Sequence, residues 1–278
     1  MATQAEKAHA FYTLHQQQGA FILPNPWDQG SAKLLEMLGF KALATTSAGY
    51  AFTLGKADNQ VGREQMMRHL LGITSSTTLP VSADLENGFG DAPEDAAATI
   101  LLAAKAGVVG GSIEDSTGRK DAPLYAIDAA TDRMRAAAEA AKSLPFKFML
   151  TARAENYLVG NSDLKNTIKR LQAYQEAGAD VLFAPGLKTR EDIAAVISSV
   201  DRPVNVIMGF PGVTLTLADL AAIGVKRISV GGSLARVALG AFIKAATELQ
   251  EHGTFNYAEQ AIPMPQINGM FLQHGADK

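Results

Sequence analysis

The stretch VSADLENGFGDAPEDA, residues 81–96, decides how the chain is read. An apolar run ends in two acids, Asp84 and Glu86, one residue apart, so that both share one face of an extended segment. The turn Asn87-Gly88-Phe89-Gly90 follows, and then a helix start carrying Asp91, Pro93 and Glu94. Two like charges at the rim of a core are costly unless something neutralises them, and a divalent metal does so.

The same grammar recurs along the chain. Short apolar runs at 21–25, 42–48, 81–86, 111–115, 148–154, 180–185, 204–208 and 227–231 read as eight strands. They are too short and too evenly apolar for a half-exposed sheet. Amphipathic segments lie between them, several closed by a glycine (Gly39, Gly107, Gly178, Gly224). Eight strand-then-helix units predict an α/β chain of the (β/α)8 TIM-barrel type, in one domain spanning residues 1–278. An open doubly wound sheet would need a phosphate-binding glycine fingerprint after the first strand, and PNPWDQGSA does not supply one.

Composition bounds the function. The chain has 278 residues, a net charge of -3 and no basic run, which disfavours nucleic acid as a partner. It has no cysteine, which removes disulfides, thiolate chemistry and Cys-based metal sites. Neither a signal-like stretch at the N-terminus nor a run of membrane-helix length is present, so a cytoplasmic protein without membrane contact is expected. The tail from Gly253 to Lys278 is apolar but broken by Pro263 and Pro265, and is expected to pack on a partner subunit.

In such barrels chemistry gathers at the carboxyl ends of the strands. Those ends carry Asn25, Trp27 and Asp28; Thr45, Thr46 and Ser47; Asp84 and Glu86; Glu114 and Asp115; Arg153 and Glu155; and Asn205. Asp84, Glu86 and Glu114 are hard oxygen donors from adjoining strands and suit Mg2+ (or Mn2+) better than zinc. Each could instead cap a helix or pair with Arg153. Arg153, inside a strand pattern, needs anions: either those acids or a substrate carboxylate. Thr46 and Ser47, before Ala48-Gly49, offer hydroxyls and backbone N–H groups to an anion, or form an ordinary turn. No His or Lys falls at a strand end, which disfavours a histidine base and a Schiff base. Metal, guanidinium and carboxylates remain, a set able to stabilise an enolate beside a carboxylate.

Taken together, NPWD, TTSAGYA, LGKAD, SADLENGFG, GSIEDS, LTARAEN and PVNVIM resemble the isocitrate lyase and phosphoenolpyruvate mutase superfamily, in order over nearly the whole chain. The resemblance implies a (β/α)8 barrel whose last helix is swapped between subunits of a dimer or tetramer. It implies Mg2+ held directly by Asp84 and through water by Asp58, Glu86 and Glu114. It places Thr46, Ser47 and Ala48 on the substrate carboxylate, Arg153 as the substrate clamp, and Asn205 and Trp27 at the pocket.

The departures carry information too. The lyase motif Lys-x-Cys-Gly-His and the mutase and hydrolase motif Lys-Thr-Asn-Ser are both missing from the loop after Glu114, DSTGRKDAPLYAID. Pro185 stands where some members have Glu or His, and Glu86 where Asp is usual. The expected activity is a Mg2+-dependent carbon–carbon lyase or decarboxylase on a small 2-oxo or 2-hydroxy dicarboxylate, with Arg153, Glu114 and Asp58 at the reaction. Phosphonomutase or phosphonate hydrolase chemistry, or a non-catalytic dicarboxylate binder, are the alternatives. Residues 116–125 are expected to form a lid, with Arg119 or Lys120 on a distal carboxylate.

Overall fold

The computed structural model describes residues 2–276. All eight expected strands form: β1 (Phe21–Leu23), β2 (Leu43–Ala44), β3 (Val81–Asp84), β4 (Gly110–Glu114), β5 (Met149–Arg153), β6 (Val181–Phe183), β7 (Val204–Ile207) and β8 (Arg227–Ser229). They pair in parallel in the order β1-β8-β7-β6-β5-β4-β3-β2. The ring lacks only a β1–β2 ladder. There the Ala44 N–H donates to the Pro24 carbonyl over 3.0 Å, and the Asn25 side chain sews the seam. Its amide donates to the Thr45 carbonyl and its oxygen accepts from the Val230 and Gly231 N–H groups.

The helices are α1 (Gln4–Gln16), α2 (Gln29–Met37), α3 (Ser47–Thr53), α4 (Arg63–Ser76), α5 (Pro93–Lys105), α6 (Ile127–Lys142), α7 (Leu164–Glu176), α8 (Arg190–Ser198), α9 (Leu217–Ala222), α10 (Ser233–His252) and α11 (Met264–Ala276). The starts follow local chemistry. Asp28, Asp163, Thr189 and Thr216 each accept an N–H of the following turn, and Pro93 opens α5 where its missing N–H costs nothing. One core lies between strands and outer helices, from Leu35 and Ile73 round to Leu220. A second closes the amino end of the barrel, where Ala8 and Phe11 of α1 meet Leu23, Val109 and Val181. The barrel is plugged from below and open at its carboxyl end.

Most strands are shorter than their apolar runs, and β1 and β2 show why. Pro24 offers no N–H to a ladder, and β1 ends before it. The run 42–48 divides after Ala44: Thr46 caps α3, its hydroxyl accepting the Gly49 N–H, so Ser47 and Ala48 sit in a helical turn. The tail is two-faced. α11 leans on α2 of its own chain, with the Phe271 ring beside Gly30. Ile262, Met264 and Leu272 nevertheless stay exposed, as do Val237, Phe242 and Ile243 of α10. Of the tail 253–278, residues 277 and 278 lie outside the described residues.

Candidate active site

The turn after β3 is the most constrained backbone near the barrel mouth. Glu86 (φ 49°) and Phe89 (φ 59°) are left-handed without being glycine, and Gly88 (φ 86°) lies between them. Such conformations cost about 1–3 kcal/mol each and persist where surroundings enforce them. The enforcement is visible. Arg133 of α6, 1% exposed, donates to the carbonyls of Asn87, Asp91 and Ala92. The Asn87 side chain accepts the Phe89 N–H, and the Thr99 hydroxyl donates to the Gly88 carbonyl.

Arg153 stands at the centre, at the end of β5. Its Nη1 lies 2.8 Å from Asp84 Oδ1, its Nη2 3.1 Å from Glu114 Oε2 and its Nε 2.9 Å from Glu155 Oε1. Burial opposes the charge of Arg153, but those three carboxylates outweigh it and raise its pKa. Five N–H donors against three ion pairs leave capacity for a ligand. Asp84 Oδ2 accepts from the Ser47 N–H (3.0 Å) and hydroxyl (2.8 Å), and Asp58 Oδ1 lies 3.3 Å from that hydroxyl.

Five acids thus surround one guanidinium, and the electrostatics show the surplus. Burial, then the charges of Asp84 and Asp58, push Glu86 up to about 8. Burial and Asp84 raise Asp58. Burial raises Glu114 and Glu155 against the pull of Arg153. Glu86 Oε1 is also buried with no hydrogen-bond partner. An orphaned carboxylate oxygen beside surplus negative charge is what a cation would satisfy. No three His, Cys, Asp or Glu side chains converge as a direct cage among the described residues.

A cavity of ≈ 370 Å3 opens beside this cluster. Of the expected residues, Thr46, Ser47, Ala48, Asp58, Asp84, Glu114, Arg153 and Asn205 line it. The others do not. Trp27 packs behind α3, where a Cβ at Gly49 would stand 2.8 Å from its own Cβ. Glu86 lies buried outside the lining. Arg119 pairs with Asp91 at 2.7 Å on the surface, and Lys120 is exposed. Their loop is folded back on itself: Ser116 bridges Leu124, the Thr117 N–H donates to the Pro123 carbonyl, and Tyr125 is tied to Asp91. Of residues 116–125 only Ser116 reaches the cavity.

The strand-end acid Asp115 has a structural role. Wholly buried, it accepts from Arg170, the Tyr174 hydroxyl and the Glu155 N–H. Two features are new to the site. Glu155 pairs with Arg153, and its place after β5 marked it only as one more acid. Arg227 lines the cavity from the first residue of β8, a position that strand-end reasoning passes over.

An acid-rich cluster about Arg153 thus stands at the carboxyl end of a (β/α)8 barrel closed below, the end where barrel enzymes carry their active sites. The phosphoenolpyruvate phosphomutase family description matches residues 11–250. The chain belongs to that family, within the isocitrate lyase and phosphoenolpyruvate mutase superfamily.

A solved structure from Burkholderia cenocepacia J2315 is 59% identical, with a TM-score of 0.95 over 97% of each chain. Phosphonopyruvate hydrolase of Variovorax sp. is 30% identical, over 84% of this chain and 83% of its own. Oxaloacetate decarboxylase of Bradyrhizobium diazoefficiens is 26% identical, over 88% and 82%. A phosphonopyruvate hydrolase solved with oxalate and Mg2+ shares the fold, with a TM-score of 0.84 at 24% identity over 98% and 95%.

Proposed function

We propose that the protein is a Mg2+-dependent carbon–carbon lyase or decarboxylase acting on a small 2-oxo or 2-hydroxy dicarboxylate through an enolpyruvate-like species. The observation that carries this is the group of carboxylates, Asp58, Asp84 and Glu114, gathered with the Arg153 guanidinium and the Ser47 hydroxyl at one side of the cavity. Burial raises Glu114 and Asp58 at that wall, so a carboxyl group there can carry a proton to or from the carbon that changes. Mg2+, when bound, would supply positive charge against the developing enolate. Asp84, with Asp58, Glu86 and Glu114 behind it, would hold the ion.

The chain's own residues do the rest. Arg153 holds the substrate carboxylate with its spare N–H groups, and its three ion pairs fix the fork so that little reorganisation accompanies reaction. Thr46, Ser47 and Ala48 present the first turn of α3 to the same group. Asn205 orients the substrate from β7, and Trp27 supports α3 from outside.

A second reading, phosphonate hydrolysis or mutation, is favoured by the hydrolase relative and opposed by the absence of Lys-Thr-Asn-Ser after Glu114. Oxaloacetate, 2-methylisocitrate, 2,3-dimethylmalate and phosphonopyruvate, each assayed with and without Mg2+, separate the two. Turnover of phosphonopyruvate alone would reject the first. Asp84→Ala is expected to abolish activity and calorimetric Mg2+ binding while keeping the circular dichroism spectrum; unaltered Mg2+ binding would show the metal site is elsewhere.

We also propose that the protein is a cytoplasmic homo-oligomer, supported by the exposed apolar face of α10 and of residues 253–272. No helix among the described residues is long and apolar enough to cross a membrane. Truncation at Gly253 should lower the mass seen by sedimentation. A wild-type monomer would reject the oligomer.

A further inference from the structure

Barrel interiors are ordinarily filled by branched apolar side chains. Here the layer beneath the acid cluster is polar. Ser82 lies two residues before Asp84 on β3, and Ser112 two before Glu114 on β4. Both line the cavity together with Asn205, Ser229 and Arg227. Two residues of strand separate the layers by about 6.6 Å.

Arg227 is the anomaly in this layer. It is 4% exposed. Its Nε donates to Asn205 Oδ1 over 2.8 Å and its Nη2 to Thr151 Oγ1 over 3.0 Å. Thr151 stands two residues before Arg153 on β5, so the guanidinium sits one layer below the clamp. Nη1 is buried and has no partner. No carboxylate pairs with it among the described residues, and burial alone pulls its pKa down to about 9. Its titratable neighbour His15 is held neutral, with a pKa lowered to about 3 chiefly by burial. A buried guanidinium with an unsatisfied nitrogen and no counter-charge is costly, and a fold keeps one where an anion can reach it.

We propose that the cavity contains a second anion subsite, at Arg227 Nη1 with Asn205, Ser229, Ser82 and Ser112 around it, and that it takes the distal carboxylate of a short dicarboxylate. The substrate then stands along the barrel axis, its oxo-acid end against Arg153 and its far end pointing down. This rests on the reading of the upper site as one for 2-oxo or 2-hydroxy acids, and it assigns the far carboxylate to the barrel floor and not to Arg119 or Lys120. Asn205 and Thr151 fix two edges of the guanidinium fork, which leaves Nη1 presented without further ordering.

Calorimetry with Mg2+ present tests this with oxalate, which is too short to reach both layers, and with L-malate, which carries a distal carboxylate. Arg227→Met should bind oxalate as wild type does and L-malate at least about tenfold more weakly. A variant that loses neither ligand overturns the subsite and leaves the upper site intact. Equal loss of both makes Arg227 a structural peg and also overturns it. Wild type that binds neither ligand rejects both readings.

A second comparison needs no variant. L-malate amidated at its distal carboxylate should bind wild type at least about tenfold more weakly than L-malate itself. Equal binding overturns the proposal even if Arg227→Met does not fold.

Discussion

Tyr174→Phe tests the scaffold beneath the site by removing a single oxygen. Tyr174 is wholly buried on α7, and its hydroxyl donates to Asp115 Oδ2 over 2.5 Å. Burial, then the Asp115 charge, raises the phenol's pKa well above its ordinary value, so it stays a donor throughout the working range. Asp115 keeps two other partners in the variant, the Arg170 guanidinium at 2.9 Å and the Glu155 N–H at 2.8 Å. The loss is therefore the hydrogen bond to a charged acceptor together with a longer one, 3.3 Å, that the hydroxyl accepts from Arg170 Nη1, about 2 kcal/mol in all. In a chain of this size that lowers Tm by about 4 °C.

Asp115→Asn is the harsher control. Asp115 is the carboxylate paired with buried Arg170, and stranding that charge costs about 3–5 kcal/mol. Without the carboxylate, the hydroxyl of Tyr174 loses its charged acceptor and keeps only the long bond from Arg170, so the double variant should lose less than the sum of the two. Urea unfolding followed by far-ultraviolet circular dichroism and by fluorescence of the single tryptophan, Trp27, reads both quantities. Tyr174→Phe within about 0.5 kcal/mol of wild type, or strict additivity in the double variant, would refute the claim that Asp115 anchors Glu155 and the loop from 116 through a shared buried network.

Other substitutions separate neighbouring effects. Gly49→Ala puts a Cβ 2.6 Å from Thr46 Cγ2 and 2.8 Å from Trp27 Cβ, so it should cost about 1–3 kcal/mol in a denaturant titration and weaken binding at the first turn of α3. His15, 3% exposed with a folded pKa of about 3, makes stability depend on pH. The unfolded chain takes up this proton near 6.5 and the folded chain does not, so the contribution is whole above pH 6.5 and is lost as pH falls toward 3. The loss is about 2 kcal/mol at pH 5, and His15→Leu should remove that slope from the curve of unfolding free energy against pH. Arg119→Ala breaks an exposed pair with Asp91 and a distant contact, 5.8 Å, with the Tyr125 ring, so stability should move by less than about 1 kcal/mol. Its KM for a dicarboxylate should not change, and a large rise in KM would return the loop to the role of a lid.

What the sequence made legible followed from strict periodicities. A buried parallel strand needs an unbroken apolar run, so all eight could be counted, and the carboxyl-end rule then drew Asp84, Glu114, Arg153 and Asn205 together before any coordinate did. Where a backbone turn decides the outcome the reading was coarser. Nothing in TTSA distinguishes a strand end from a helix start until Thr46 is seen to cap Gly49. Glu86 was found by its spacing from Asp84, but its left-handed turn depends on Arg133 from α6, far along the chain.

Arg227 shows the deeper limit. A charged residue opening an apolar run is normally a surface residue at the barrel's amino end, and RISVG offers no reason to think otherwise. Its direction is set by closure: β8 pairs with β1 and β7, and the side chain crosses the interior to Thr151 on β5. Such a contact joins residues 76 apart in sequence and has no periodic signature. Small side chains at Ser82 and Ser112 leave room inside the ring, and Asn205 and Thr151 hold the guanidinium there. The polarity of the barrel floor is thus a collective property of five strands, each of which would read as ordinary by itself.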